Sequence, residues 1–186
     1  MSVEVKGSVV KGLKSYVEKK YPSYADSWMS AMDSQTREVF KQPILSTTWY
    51  DLQVGVVNPT KALAEVTGKK VKDVAYESGQ FVAEDLLSGI YKVFVAIASP
   101  KFVISRATTI FDSFYRPVNV SLPLLEPGCA RIKVEGLTTA DGVLESRIEG
   151  FMQVTVSKSA GKDVKVKSEK ASGDGNPYTE YTIEWS

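Results

Sequence analysis

The sequence predicts an α+β domain with helices packed on one face of a small antiparallel sheet, the N-terminal part helical and the C-terminal part mostly β. Three observations carry this. Apolar residues recur at steps of three and four almost without interruption up to Pro117. Beyond it the period shortens to two, as in Ala130, Ile132 and Val134 set against Arg131 and Lys133. Helical runs come first and strands later, an order that suits α+β and not a doubly wound parallel sheet.

Val3 and Val5 alternate with Glu4 and Lys6, enough for a short strand. Gly7-Ser8 then offers a helix start, and Val9, Val10, Leu13 and Val17 keep helical spacing to about Lys20, where Pro22 stops the run. Ser23 is placed to cap a second helix through Trp28 and Met32, and Asp33-Ser34 opens a third short one around Val39 and Phe40. Residues 47–58 fit either an alternating strand or a helix capped by Thr48, and are read here as the opening of a kinked or two-piece helix. Asn58-Pro59 marks a helix start and Gly68 its end.

The longest helical pattern spans Lys72 to Ser99. Asp73, Glu77, Gln80 and Glu84 make its wet stripe, and Ala75, Gly79, Val82, Leu86, Ile90 and Val93 its apolar one. Gly79 costs a helix about 1 kcal/mol relative to Ala, which close packing against another helix would explain. Ser99-Pro100 caps a further helix carrying Val103, Ile104, Ala107, Ile110, Phe111 and Phe114. Strands follow at Val118–Leu122 and Ala130–Val134. Asp141-Gly142 then leads into a helix with Val143, Leu144, Ile148, Phe151 and Met152 on one side. Two closing strands, around Val164–Val166 and Tyr181–Trp185, are joined by the turn-rich ASGDGNP.

The chain of 186 residues fits a single domain, 1–186, able to bury roughly 70% of its unfolded surface and so to host a pocket. Lys and Arg number 23 against 22 Asp and Glu, a net charge of +1 that gives no electrostatic reason to expect nucleic acid as a partner. Lys11, Lys14, Lys19 and Lys20 are read as a solvated helix face. The single Cys129 forbids an internal disulfide and suits a reducing compartment. Lysines interrupt the opening MSVEVKGSVVKGLKSY where a secretion signal needs an apolar core, and no apolar run is long enough for membrane insertion. The expected location is cytoplasmic.

Chemistry is limited by what is missing. There is no histidine, which removes Ser-His-Asp and Cys-His catalysis and histidine-ligated metal or haem. One cysteine cannot build a zinc or iron–sulfur site. Neither GxxxxGK[ST] nor GxGxxG is present. Glu84 and Asp85 are sequence neighbours, about 100° apart on a helix, so they do not face one substrate together. Asp73, Glu77 and Glu84 read as a solvated stripe, and Cys129 as a small core residue. The expectation is no catalytic residue, no metal site, no cofactor and no enzyme. Aromatic residues remain as candidates for lining an apolar ligand pocket: Trp49, Tyr91, Phe94, Phe111, Phe114 and Tyr115. Buried, Tyr91 and Tyr115 would each need a hydroxyl partner.

The segments KGSVVKGLKSYV, TTWYDL, SGQFVAEDLLSGIYKVF, ASPKFVISRATTIFDSFYRP and ASGDGNPYTEYTIEW, in this order, resemble a bacterial family abundant as paralogues in myxobacteria and related to the 4-vinyl reductase-like domain. The resemblance runs over nearly the whole chain. It implies a fold shared with haem nitric-oxide-binding domains and with Bet3-type subunits of the trafficking complex TRAPP, often built around an apolar pocket. It also implies sensing of small aromatic molecules, with a zinc site of cysteines near the closing motif in some relatives. Here Thr179 follows Gly175-Asn176-Pro177-Tyr178 where such relatives place a cysteine, so zinc does not carry over. The proximal histidine is also missing, so haem does not. The function expected is a cytosolic small-molecule binding or sensing module with an apolar pocket. The alternative is a protein–protein interaction module, as a homodimer or partner scaffold without a ligand.

Overall fold

The computed structural model describes residues 2–88, 98–137, 139, 141–159, 161–173 and 176–186. Its β structure falls into two antiparallel sheets. In the smaller, β1 (Glu4–Lys6) lies between β2 (Trp49–Asp51) and β3 (Tyr115–Arg116), with Val5 opposite both Tyr50 and Tyr115. The larger has β4 (Asn119–Glu126), β5 (Cys129–Glu135), β6 (Lys165–Gly173) and β7 (Asn176–Glu184) in the order β4-β5-β7-β6. Alternation places Ala130, Ile132, Val134, Tyr181 and Ile183 on its buried face and leaves Arg131 exposed on the other.

The helices confirm the coarse reading and refine its boundaries. α1 (Gly7–Lys20) follows β1 with no intervening loop, burying Val9, Val10, Leu13 and Val17. A 3-10 turn at Pro22–Tyr24 takes up the expected cap Ser23, so that α2 (Ala25–Ala31) starts later. α3 (Ser34–Lys41) is capped by Asp33, which accepts from the Thr36 backbone N–H at 2.9 Å.

The ambiguous segment 47–58 contains both conformations, β2 and then a π-helical turn at Gln53–Val57 running straight into α4 (Asn58–Thr67). Asn58 donates five residues back to the Gln53 carbonyl, and Pro59 has no N–H to return to Gly55, which suits the wider turn. Asn58 is therefore not a cap. Its backbone is helical, and its side-chain amide donates to Asp33 instead. Gly68, at a φ of 68°, ends α4 as expected.

α5 is described over Val71–Ser88; residues 89–97, which include Tyr91 and Phe94, lie outside the described residues. The helix expected from Pro100 is two pieces, α6 (Pro100–Ile104) and α7 (Ala107–Phe114). Arg106 donates three residues back to the Val103 carbonyl, which tightens the chain between them. α8 (Val143–Lys158) packs on the larger sheet and crosses α5 closely. Its Val143, Leu144, Ile148, Met152 and Val156 join the sheet residues in the core.

Two glycines make the α5–α8 crossing close. A Cβ on Gly79 would lie 2.9 Å from the Arg147 carbonyl carbon, and one on Gly150 3.0 Å from that of Tyr76. The helix packing expected to explain Gly79 is therefore a backbone-to-backbone contact. No helix among the described residues is long and apolar enough to cross a membrane.

Candidate functional site

A cavity of about 100 Å³ lies where α5, α6, α7 and α8 meet above β5. Each element contributes for a local reason. α7 turns Ala107, Phe111 and Phe114 inward at helical spacing, α8 presents Ile148 and Met152 from its core stripe, and β5 presents Ile132 from its buried face. Val82 and Leu86 of α5 and Val9 of α1 close the remaining walls. Such a lining suits an apolar group, held by shape and by exclusion of water.

Polar groups on this wall are few, and one is charged. Arg147 of α8 is 3% exposed and donates to the Ser78 hydroxyl at 2.6 Å. The Tyr115 side chain at the start of β3 lies close enough to this guanidinium for each to influence the other's ionisation. Burial raises the Tyr115 pKa above the usual phenol value, against the opposing pull of Arg147, so the group stays a neutral phenol. Burial also lowers the Arg147 pKa, countered in part by Tyr115; a guanidinium nonetheless keeps its proton in proteins.

Of the six aromatic candidates, the structure brings Phe111, Phe114 and Tyr115 together on this cavity. Trp49 is elsewhere. It belongs to the small sheet, with the Lys6 ammonium 4.4 Å and the Arg116 guanidinium 4.2 Å from its ring. The physical reason is that Trp49 pairs with Lys6 as strand, so the helical geometry that would turn it inward is never formed. Tyr91 and Phe94 lie outside the described residues.

The carboxylates expected to form a wet stripe behave in more than one way. Glu77 is half-buried and accepts from Tyr16 at 2.9 Å, from Tyr21 at 2.8 Å and from Lys69 at 2.9 Å. Burial alone would raise its pKa; the three donors outweigh that and leave it below the usual carboxylate value. Cys129 sits half-buried on β5, paired in register with Glu126 and Glu184. Among the described residues no group of three or more acidic or sulfur side chains is placed to hold a metal ion.

No family model matches the chain, and no curated protein does. Solved structures do. A crystal structure of the Fe(II) unliganded H-NOX protein from K. algicida has a TM-score of 0.72 at 10% identity, covering 97% of this chain and 96% of that one. The fold is that of an H-NOX domain. An oxygen-binding H-NOX domain related to soluble guanylate cyclases gives 0.71 at 12% identity, over 97% and 95%. A single-substitution variant of Tt H-NOX gives 0.72 at 13%, over 97% and 95%. The shared H-NOX architecture extends over almost the whole chain, as the resemblance drawn from the sequence implied for the haem nitric-oxide-binding fold.

Arg147 was not among the sequence candidates. The signal was nevertheless present: Leu144, Arg147, Ile148 and Phe151 follow the i, i+3, i+4, i+7 pattern of one buried stripe, with a charge where an apolar residue belongs.

Proposed function

We propose that this chain is a cytoplasmic small-molecule binding or sensing module, not an enzyme, and that it holds a compact ligand in the cavity beneath α7. The observation that carries the reading is the cavity itself, walled by Val, Ile, Leu, Phe and Met side chains with Tyr115 and Arg147 at one side. Kinship with the myxobacterial and 4-vinyl reductase-like proteins is part of the same proposal. The quoted sequence segments and the common architecture support it.

Haem, studied in H-NOX relatives, does not fit these residues. The chain has no histidine to ligate iron. Tyr115, the phenol on the cavity wall, is held neutral beside Arg147, whereas an iron ligand would be phenolate. The space of about 100 Å³ is far below the several hundred typical of pockets for drug-sized ligands, and a macrocycle needs more still. A cavity of this order suits a molecule near benzene in size, which an engineered apolar cavity of about 150 Å³ admits.

The test is a thermal-shift and NMR titration with toluene and isovaleramide. Saturable binding with shifts centred on Ala107, Phe111 and Ile148 is the expected outcome. Ala107→Leu, which adds three carbons to the cavity wall, should abolish it while leaving the chain folded. Absence of binding by either probe up to its solubility would refute the reading.

A further inference from the structure

The buried Arg147 restricts what the ligand can be. We propose that the cavity takes a compact monocarboxylic acid, its carboxylate paired with the Arg147 guanidinium and its apolar tail lodged among Ala107, Phe111, Ile148 and Met152. This rests on the reading of the cavity as a ligand site, and narrows it to a chemical class.

Arg147 stands on the apolar stripe of α8, almost completely out of water, on the wall of an apolar cavity. Ser78, which accepts from it, and nearby Tyr115 are neutral. A guanidinium buried among neutral groups bears a desolvation cost that proteins ordinarily offset with a counter-charge. None is supplied from the described residues. No ion pair among the described residues includes Arg147.

The two acidic residues nearest on its helix are committed elsewhere. Glu145 accepts from the Thr139 backbone N–H at 3.0 Å and from its hydroxyl at 2.6 Å, with Lys170 at 3.3 Å. Glu149 accepts from the Ser168 N–H at 2.6 Å. A ligand carboxylate would therefore complete Arg147, accepting two N–H groups from the planar fork. The Tyr115 phenol, still protonated, stands beside it as a further donor.

The rest of the wall fixes the number of charges and the size. Arg147 is the one charged side chain among the described lining residues, which matches a single negative charge and not a phosphate dianion or a dicarboxylate. The Val, Ile and Phe side chains opposite it match a short branched or aromatic tail.

Two isosteric probe pairs isolate the charge: isovalerate against isovaleramide, and benzoate against benzamide. Each is titrated at fixed ionic strength, with sodium chloride as the anion control, and followed by NMR and melting temperature. The acid should bind at least about tenfold more tightly than its amide, the scale of one charge-assisted contact out of water. Arg147→Met, of similar length without charge, should erase that preference while keeping amide binding. Equal affinity of acid and amide overturns the proposal and leaves the apolar site intact. So would a preference that survives in Arg147→Met, or a melting shift that chloride reproduces. Failure of all four probes and of toluene would instead overturn the site itself. Should Arg147→Met not fold, the acid-to-amide ratio of the unaltered chain decides alone.

Discussion

Gly79→Ala tests the α5–α8 crossing, on which the cavity wall depends. At an exposed helical site this change would add about 1 kcal/mol of stability through helix propensity. Here the new Cβ would sit 2.9 Å from the Arg147 carbonyl carbon and 3.0 Å from the Phe151 backbone nitrogen, with the carbonyl oxygen closer still. Carbon contacts are comfortable at about 3.5–4.0 Å, so the helices must part by roughly 1 Å. A gap of that size forfeits up to about half the dispersion energy of the atoms facing it, and overpacking of this kind costs about 3 kcal/mol. The net expectation is a loss of about 2 kcal/mol, or about 4–8 °C in melting temperature for a domain of this length. Thermal and urea unfolding followed by far-UV circular dichroism measures it. Gly150→Ala should behave alike, because its Cβ meets Tyr76 and Gln80 from the other side. The double variant should lose less than the sum, since one separation serves both. A Gly79→Ala protein as stable as the unaltered chain would refute the contact.

Trp28→Phe removes a buried hydrogen bond from the indole N–H to the Pro59 carbonyl, 2.8 Å long, that joins α2 to α4. It should cost about 1–2 kcal/mol by urea denaturation. Glu77→Gln tests the cluster with Tyr16, Tyr21 and Lys69. The folded-state pKa of Glu77 lies below the ordinary value, so its stabilisation is complete above the unfolded pKa and is lost as pH falls through the folded one. The variant should therefore be less stable at neutral pH by about 0.5–1 kcal/mol, a figure kept small because the Glu77 side chain is 40% exposed. The two urea midpoints should converge as the pH falls through the folded-state pKa of Glu77 and its carboxylate is neutralised. A gap that persists there would show that packing, and not charge, is what Gln disturbs.

Much of this fold is legible in local periodicity. Alternation through Ala130, Ile132 and Val134 gives β5 and its buried face, and Val9, Val10, Leu13 and Val17 give α1, because burial on one side imposes the pattern directly. What escapes is what depends on distant partners. Trp49 reads as a pocket aromatic until its pairing with Lys6 makes it strand. The break between α6 and α7 leaves little mark in composition, since Ser105 and Arg106 are tolerated inside helices. Of the site, Phe111, Phe114 and Tyr115 were visible as an apolar cluster at a helix end. Arg147 was not, because a charged helical residue is by default assigned to water. Only its position on the stripe of Leu144, Ile148 and Phe151 argues otherwise.

The small sheet has a consequence for the order in which the molecule assembles. β1 is bordered on one side by β2 and on the other by β3, so Glu4 stands opposite Asp51 and Arg116 at once. The second of these pairings spans more than half the chain, and such distant pairings are slow to form because a large loop must close first. α1 continues from β1 without a break, so Ser8 and Val9, which close one wall of the cavity, gain their final position only when that seam is drawn shut. The earliest residues in the sequence should therefore be among the last to gain protection in pulse-labelling hydrogen exchange during refolding. Binding at the proposed cavity would then report the finished molecule and distinguish it from a partly assembled one.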